Sequence, residues 1–248
     1  MSDDDTVKHI GILAHSAEGS ALCYLTACHE GSKHMGEHTH PDITMSVIAM
    51  GRSMPAWEQN DLRTIRAILA KAVLRLKAAG CDFFICPDNT AHLALEFNGP
   101  RLALPGLHIA EIVAMAAAKG GFRTIGVLGT RWIMESTLYR NVFERHGLEF
   151  AVPTSEERVV IHQIIFKELN NGIFRHESRE TFQQIISGLS LRGCDAVVLG
   201  CTEIPLLINA DASPLPTLDS TRLLAIAGVT VALGKLPLPD WVGGPILG

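Results

Sequence analysis

The chain has 248 residues, 47% of them apolar and 19% charged, with a formal net charge of −5. That apolar content is enough for one large domain or two smaller ones, each with its own core. The mildly acidic balance, with no long like-charged block, shows nothing like a phosphate-binding surface, so no nucleic-acid partner is expected.

Taken in chain order, short apolar runs alternate with segments of helical period. Strands are predicted over 9–14 and 43–50. A helix follows over 57–79, where Leu62, Ile65, Leu69, Val73 and Leu76 recur at steps of three and four. A strand over 82–86 and a helix over 108–119 come next, then a strand over 124–128, a helix over 135–146 and a strand over 149–152. Helices over 156–170 and 179–192 and a strand over 196–199 complete the series. Gly80, Gly147 and Gly193 follow three of the helices, as C-terminal stops do. Continuous apolar strands separated by helices point to parallel sheets covered on both faces.

The N-terminus is acidic (Asp3, Asp4, Asp5), unlike the basic-then-apolar start of a secretory signal, and no apolar run nears the roughly 20 residues that span a bilayer. The cysteines at 23, 28, 81, 86, 194 and 201 form no C-x-x-C pair, and some sit in strands that read as buried. A soluble protein of the reducing cytoplasm is expected.

Two segments recur in register. Ile10-Gly-Ile-Leu-Ala-His15 echoes Ile125-Gly-Val-Leu-Gly-Thr130, 115 residues on, and Gly80-Cys-Asp echoes Gly193-Cys-Asp, 113 residues on. One match would be chance; two in the same order indicate duplicated lobes. The expected fold is α/β, with two pseudo-symmetric lobes of parallel sheet flanked by helices: residues 1–103 plus 209–248, and 104–208. Ligands of open parallel sheets bind beyond the carboxyl ends of the strands. The polar strand ends His15-Ser16, Asp88-Asn89-Thr90, Thr130 and Cys201-Thr202-Glu203 are therefore expected to face a shared cleft.

Asp88 stands eight residues after Gly80, and Cys201 eight after Gly193. Equivalent positions in facing lobes suit removal of a proton from one face of a carbon and its return to the other. A thiol, with an ordinary pKa of about 8.5, is readily tuned for this. A carboxyl at about 3.9 is a weak base that burial would have to raise. The competing reading of Cys201 is plain packing at a strand end.

At these positions the sequence resembles the aspartate/glutamate racemase superfamily, which also includes hydantoin racemases and arylmalonate decarboxylases. The motifs that carry the resemblance are Cys86-Pro-Asp-Asn-Thr-Ala-His92 and Gly200-Cys-Thr-Glu-Ile-Pro-Leu206, supported by 104–111, 125–130 and 168–174. The resemblance implies proton transfer at the carbon next to a carboxylate, with Asp88 and Cys201 catalytic. It also implies an amino acid or related small carboxylic acid as substrate, no pyridoxal phosphate, no metal, and a homodimer or larger homo-oligomer. The family's first motif usually reads Cys-Asn-Thr, and Asp88 replaces that cysteine here. A basic residue common before the glycine of the Glu-Leu-x-x-Gly segment is Asn171 here. Both departures weigh on aspartate or glutamate as the substrate.

Asn89, Thr90, Thr130 and Thr202, with Ser16, offer donors that would stabilise an enolate-like carboxylate, or serve only as helix caps. Arg52 either pairs with a second carboxylate or is a surface residue. His108 and Glu203 read as residues behind the site, or as a cap and a structural hydrogen bond. His34, His38, His40 and Asp42 have spacing that could hold a metal, though a hydrolytic site needs a further ligand and a base. The leading function is a cofactor-independent racemase. The rivals are a decarboxylase or isomerase with Cys201 as sole proton donor, a binding protein that kept the cleft, and a metal hydrolase.

Overall fold

The structure, a computed structural model, describes residues 7–246; the acidic start lies outside them. The chain divides into two compact units, Met1–Ile109 with Leu224–Gly248, and Ala110–Leu223. Each holds one four-stranded parallel sheet.

In the first unit the strands β1 (Ile10–Ala14), β2 (Ile43–Val47), β3 (Phe83–Ile85) and β4 (Gly106–Leu107) lie in the order β2-β1-β3-β4. All of β1 and β3 is buried, as unbroken apolar runs require of central parallel strands. The long helix predicted over 57–79 divides into α2 (Met54–Glu58) and α3 (Leu62–Ala78). Asn60 adopts a left-handed φ of 52°, and the Asp61 side chain accepts the Thr64 amide at 3.0 Å, so a new helix is capped where the periodicity had looked continuous. Ile65, Leu69, Val73 and Leu76 form the buried stripe of α3, which packs on β1. The helix α1 (Ala17–Met35) was not legible as such. Its buried face consists of Gly19, Ser20, Cys23, Ala27 and Gly31, small residues that leave little hydrophobic period. The short α4 (Asn89–Leu95) follows β3.

The second unit begins within α5 (Ile109–Lys119) and repeats the topology. Its strands β5 (Thr124–Gly129), β6 (Glu149–Ala151), β7 (Ala196–Gly200) and β8 (Thr217–Asp219) lie in the order β6-β5-β7-β8. The helix predicted over 135–146 begins only at Leu138, as α7 (Leu138–Arg145), after a separate short α6 (Arg131–Glu135) that stops at Ser136. A reciprocal capping box between Thr154 and Glu157 starts α8 (Ser155–Lys167). The helices α9 (His176–Leu191), α10 (Ile204–Leu207) and α11 (Ser220–Ala232) complete the chain, α11 running on into the first unit. The core joins Ile161 and Ile165 of α8, Phe182 and Ile186 of α9, and Val197 and Leu199 of β7.

The two sheets share more than strand order. Gly11 pairs with Phe84 in one, and Gly126 with Val197 in the other, which reproduces the sequence offsets of the two echoes. Gly80 and Gly193 end α3 and α9 with φ of 85° and 93°, a backbone that side-chain-bearing residues avoid. Two residues on, Asp82 accepts the His9 amide at 2.8 Å, and Asp195 accepts the Arg123 and Thr124 amides at 2.8 and 3.2 Å. Each aspartate thus fastens the start of its central strand to the strand beside it. The repeated Gly-Cys-Asp is a structural device: a helix stop, a buried thiol and a strand clamp. Among the described residues no helix is long and apolar enough to cross a membrane.

Candidate active site

In the first unit β1 and β3 deliver two polar side chains to one point. His15 follows β1 directly, and Asp88 lies three residues past β3 as the N-cap of α4. His15 Nδ1 is 2.7 Å from Asp88 Oδ2, with side-chain exposures of 2% and 16%. Asp88 Oδ1 accepts the Ala91 amide at 3.2 Å. On the far side of the ring, His15 Nε2 is 2.8 Å from Ser53 Oγ, whose hydroxyl donates to the Met50 carbonyl at 3.0 Å. Burial alone would push the Asp88 carboxyl up, but the hydrogen bond and charge of His15, helped by the Ala91 amide and His92, hold it below its ordinary value. Burial does press Asp88 upward, but its partners outweigh desolvation.

Behind Asp88 lies a buried aromatic group. His92 Nδ1 donates to the Asp88 carbonyl at 3.0 Å, and the Ile109 amide donates to His92 Nε2 at 3.3 Å, which fixes a neutral tautomer. Burial, reinforced by the charge of His108, lowers the His92 pKa to about 3. Trp241 stacks on His92, with ring centroids 5.8 Å apart, and meets His108 edge-on at 4.9 Å. His108 Nε2 lies 2.9 Å from Glu96 Oε1, off the angle of a hydrogen bond. His108 precedes α5 but does not cap it, because His92 takes the Ile109 amide. Cys86, two residues before Asp88, is buried, and desolvation pushes its thiol well up.

In the second unit β7 ends at Gly200, where an added Cβ would meet the Leu128 carbonyl oxygen at 2.7 Å. Only glycine lets the backbone of β7 close on β5 immediately before Cys201. The Cys201 thiol, in a residue 8% exposed, donates to Glu203 Oε2 at 3.0 Å, and Thr202 Oγ1 donates to the same oxygen at 2.8 Å. Glu203 is 1% exposed, and its Oε1 has no hydrogen-bond partner among the described residues. Thr130 is buried and caps α6 through its hydroxyl, which accepts the Ile133 amide at 3.4 Å.

The remaining expected residues spread around these two strand ends. Ser16 is half-buried at the N-cap of α1, without a side-chain cap bond. Asn89 and Thr90 are buried in the first turn of α4, and Asn89 Nδ2 donates to the Pro87 carbonyl at 3.5 Å. Arg52 is exposed, on a short 3-10 turn (Met50–Arg52). The histidines weighed as metal ligands turn to separate partners: His34 to Glu30 and Lys235, His38 to Glu37, and His40 to the Pro41 carbonyl. Among the described residues no three His, Cys, Asp or Glu side chains gather as a metal set.

Sequence reasoning missed the pairing of His15 with Asp88, and it missed Ser53 and Trp241 altogether. A signal was present for the first. His15 is the echo partner of Thr130 and follows the strand beside β3, and the register that pairs Ile12 with Ile85 carries His15 level with Asp88.

The chain is similar to known proteins. Over 168 residues the chain is 27% identical to the broad specificity amino-acid racemase RacX of Bacillus subtilis, a match covering 68% of this chain and 72% of that protein. A glutamate racemase of Ectopseudomonas mendocina is 28% identical over 161 residues, covering 64% of this chain but only 58% of the relative. The crystal structure of an aspartate racemase homologue from Pyrococcus horikoshii superposes with a TM-score of 0.73 at 28% identity, covering 91% of this chain and 99% of that one. The sequence profile of the Asp/Glu/Hydantoin racemase family matches residues 14–227, a span that includes both strand ends, and the chain belongs to that family.

Proposed function

We propose that the protein is a cofactor-independent amino-acid racemase of the aspartate/glutamate type, in which Asp88 and Cys201 serve opposite faces of the carbon next to the substrate carboxylate. The observation that carries this reading is the equivalence of the two positions. Each follows the same strand of an identical sheet at the same distance from a Gly-Cys-Asp clamp, and each carries a hydrogen-bonded acidic group. One group takes the Cα proton, the electron pair delocalises into the carboxylate, and the other returns a proton to the opposite face. Asn89, Thr90, Thr130, Thr202 and Ser16 are the donors assigned to the developing enolate, and Arg52 to a second carboxylate. Pyridoxal phosphate and metal ions have no part in this scheme. The free cysteines agree with a cytoplasmic enzyme, working as a homodimer or larger homo-oligomer.

The unlike partners of Asp88 and Cys201 favour a second reading, in which only Cys201 delivers a proton, as in a decarboxylase or isomerase. Incubation of each enantiomer of aspartate, glutamate and a panel of other amino acids in D2O separates the two. Racemisation with deuterium gained at Cα, abolished in Cys201→Ala and in Asp88→Asn alike, is expected. Release of CO2 from a disubstituted malonate with Asp88→Asn fully active would replace the racemase reading by the second.

A further inference from the structure

The chain Ser53–His15–Asp88 has the connectivity of a hydrolase triad, but its serine cannot be a nucleophile. Ser53 is fully buried, and its one hydroxyl hydrogen goes to the Met50 carbonyl. The exposed end of the chain is the carboxyl, so whatever the three residues do is expressed at Asp88.

The proton count of the chain turns on the Ser53 hydroxyl, which reaches both the Met50 carbonyl at 3.0 Å and His15 Nε2 at 2.8 Å. With its hydrogen on the carbonyl, Ser53 Oγ accepts from His15 Nε2, which then carries a proton. A bare Nδ1 facing a bare carboxylate oxygen at 2.7 Å would set two lone pairs against each other, so one proton lies on that line too. Whether it rests nearer nitrogen or oxygen, aspartate and histidine together carry no net charge. The groups facing the couple within this unit leave that balance alone. Cys86 is pushed well up by burial and stays a thiol, with Cys23 of α1 beside it, and His92 is held neutral.

We propose that His15 is a positioning residue that makes Asp88 one half of a single-proton couple, neutral before it takes the substrate's proton and cationic after. When the Cα–H bond breaks, its proton goes to a free lone pair of Asp88, the electron pair stays on the substrate carbon and its carboxylate, and the shared proton remains with His15. The couple gains one positive charge as the substrate gains one negative charge beside it, the arrangement that most stabilises a developing carbanion in a water-poor site. In the reverse direction the cationic couple is the stronger acid and gives the proton back. A lone aspartate would pass only from −1 to 0 and supply no counter-charge.

This inference rests on the racemase reading for its consequence but not for its first test. Nitrogen-detected NMR of the free full-length enzyme with labelled histidine should show His15 with Nε2 protonated and a strongly hydrogen-bonded proton at Nδ1. Asp88→Asn should abolish the Nδ1 signal. A His15 ring with an unprotonated Nε2, or one that is unchanged by Asp88→Asn, overturns the couple whatever the enzyme's activity. In the exchange assay His15→Asn, whose amide can still donate to Asp88 but cannot become a cation, should lower kcat about 10²-fold. His15→Ala should lose as much and regain part of it on adding imidazole. A full-rate His15→Asn, or a folded His15→Ala that imidazole does not rescue, overturns the proposal. If the wild type exchanges no amino acid, the racemase reading falls, while the NMR result still decides the couple.

Discussion

The ends of β3 and β7 occupy the same place in two equivalent sheets, yet they hold their acidic side chains by different routes. Asp88 draws its partner from a neighbouring strand, through His15 at the end of β1. Cys201 draws its partner from its own turn, through Glu203 two residues later. Thr130, the echo partner of His15, caps α6. The contrast follows from the two groups. A buried carboxylate needs a cation or a donor to offset its lost hydration, and a histidine ring reaches across strands to give one. A thiol needs an acceptor for its hydrogen, and a carboxylate in the same turn is the nearest one.

The largest expected effects test whether both ends are needed. Cys201→Ala and Asp88→Asn should each reduce racemisation about 10³-fold or more, measured by chiral chromatography in both directions. If Asp88→Asn spared one direction, the comparison would sharpen into a one-way donor. Glu203→Gln should cost less, about 10- to 10²-fold in kcat. The amide still accepts the thiol and Thr202 hydrogens, but its new N–H group points where Glu203 Oε1 has no partner. An unchanged kcat would make Glu203 a structural residue only.

Acid should separate the two units as well. His92 is held at about 3 against an ordinary value of 6.5, so between these values the unfolded chain binds a proton that the native protein refuses. Stability is then complete above pH about 6.5 and declines by a few kcal/mol as the pH falls toward 3. Asp88, held low by His15, adds a loss that begins only below its ordinary value of about 3.9. Thermal unfolding against pH should therefore fall early in the wild type. In His92→Asn, which keeps a donor to the Asp88 carbonyl, the fall should be shallower, with the remainder coming from His162, which burial also holds low. An equally steep fall in the variant would remove His92 as the cause.

How far the sequence carried these conclusions depends on the kind of signal. The central strands, the stripe of α3 and the doubled Gly-Cys-Asp were legible because large apolar residues and special backbone positions leave marks in one dimension. The helix α1 was hidden because small residues line its buried face, and β4 and β8 because two or three residues carry no period. Asp88, Cys201 and Glu203 could be picked from their motifs, Glu203 because its partner is two residues away. The bond from His15 to Asp88 spans 73 positions and appears only once β1 and β3 are set side by side. Trp241 reaches His92 and His108 from a segment with no regular structure, for which periodicity offers no warning.

The smallest effect probes the clamps that make the halves alike. Asp195 holds two amides of its neighbouring strand, and Asp82 holds one. At about 1 kcal/mol for each hydrogen bond lost, Asp195→Ala should cost roughly 2 kcal/mol and Asp82→Ala roughly 1, read from the shift in urea midpoint at unchanged slope. Neither clamp touches the ring of His15 or the thiol of Cys201, so turnover of the folded variants should match the wild type. If instead Asp82→Ala lowered kcat while Asp195→Ala did not, the position of β1 would be controlling how His15 meets Asp88. The end of β3 would then depend on sheet register in a way that the end of β7, with its partner in the same turn, does not.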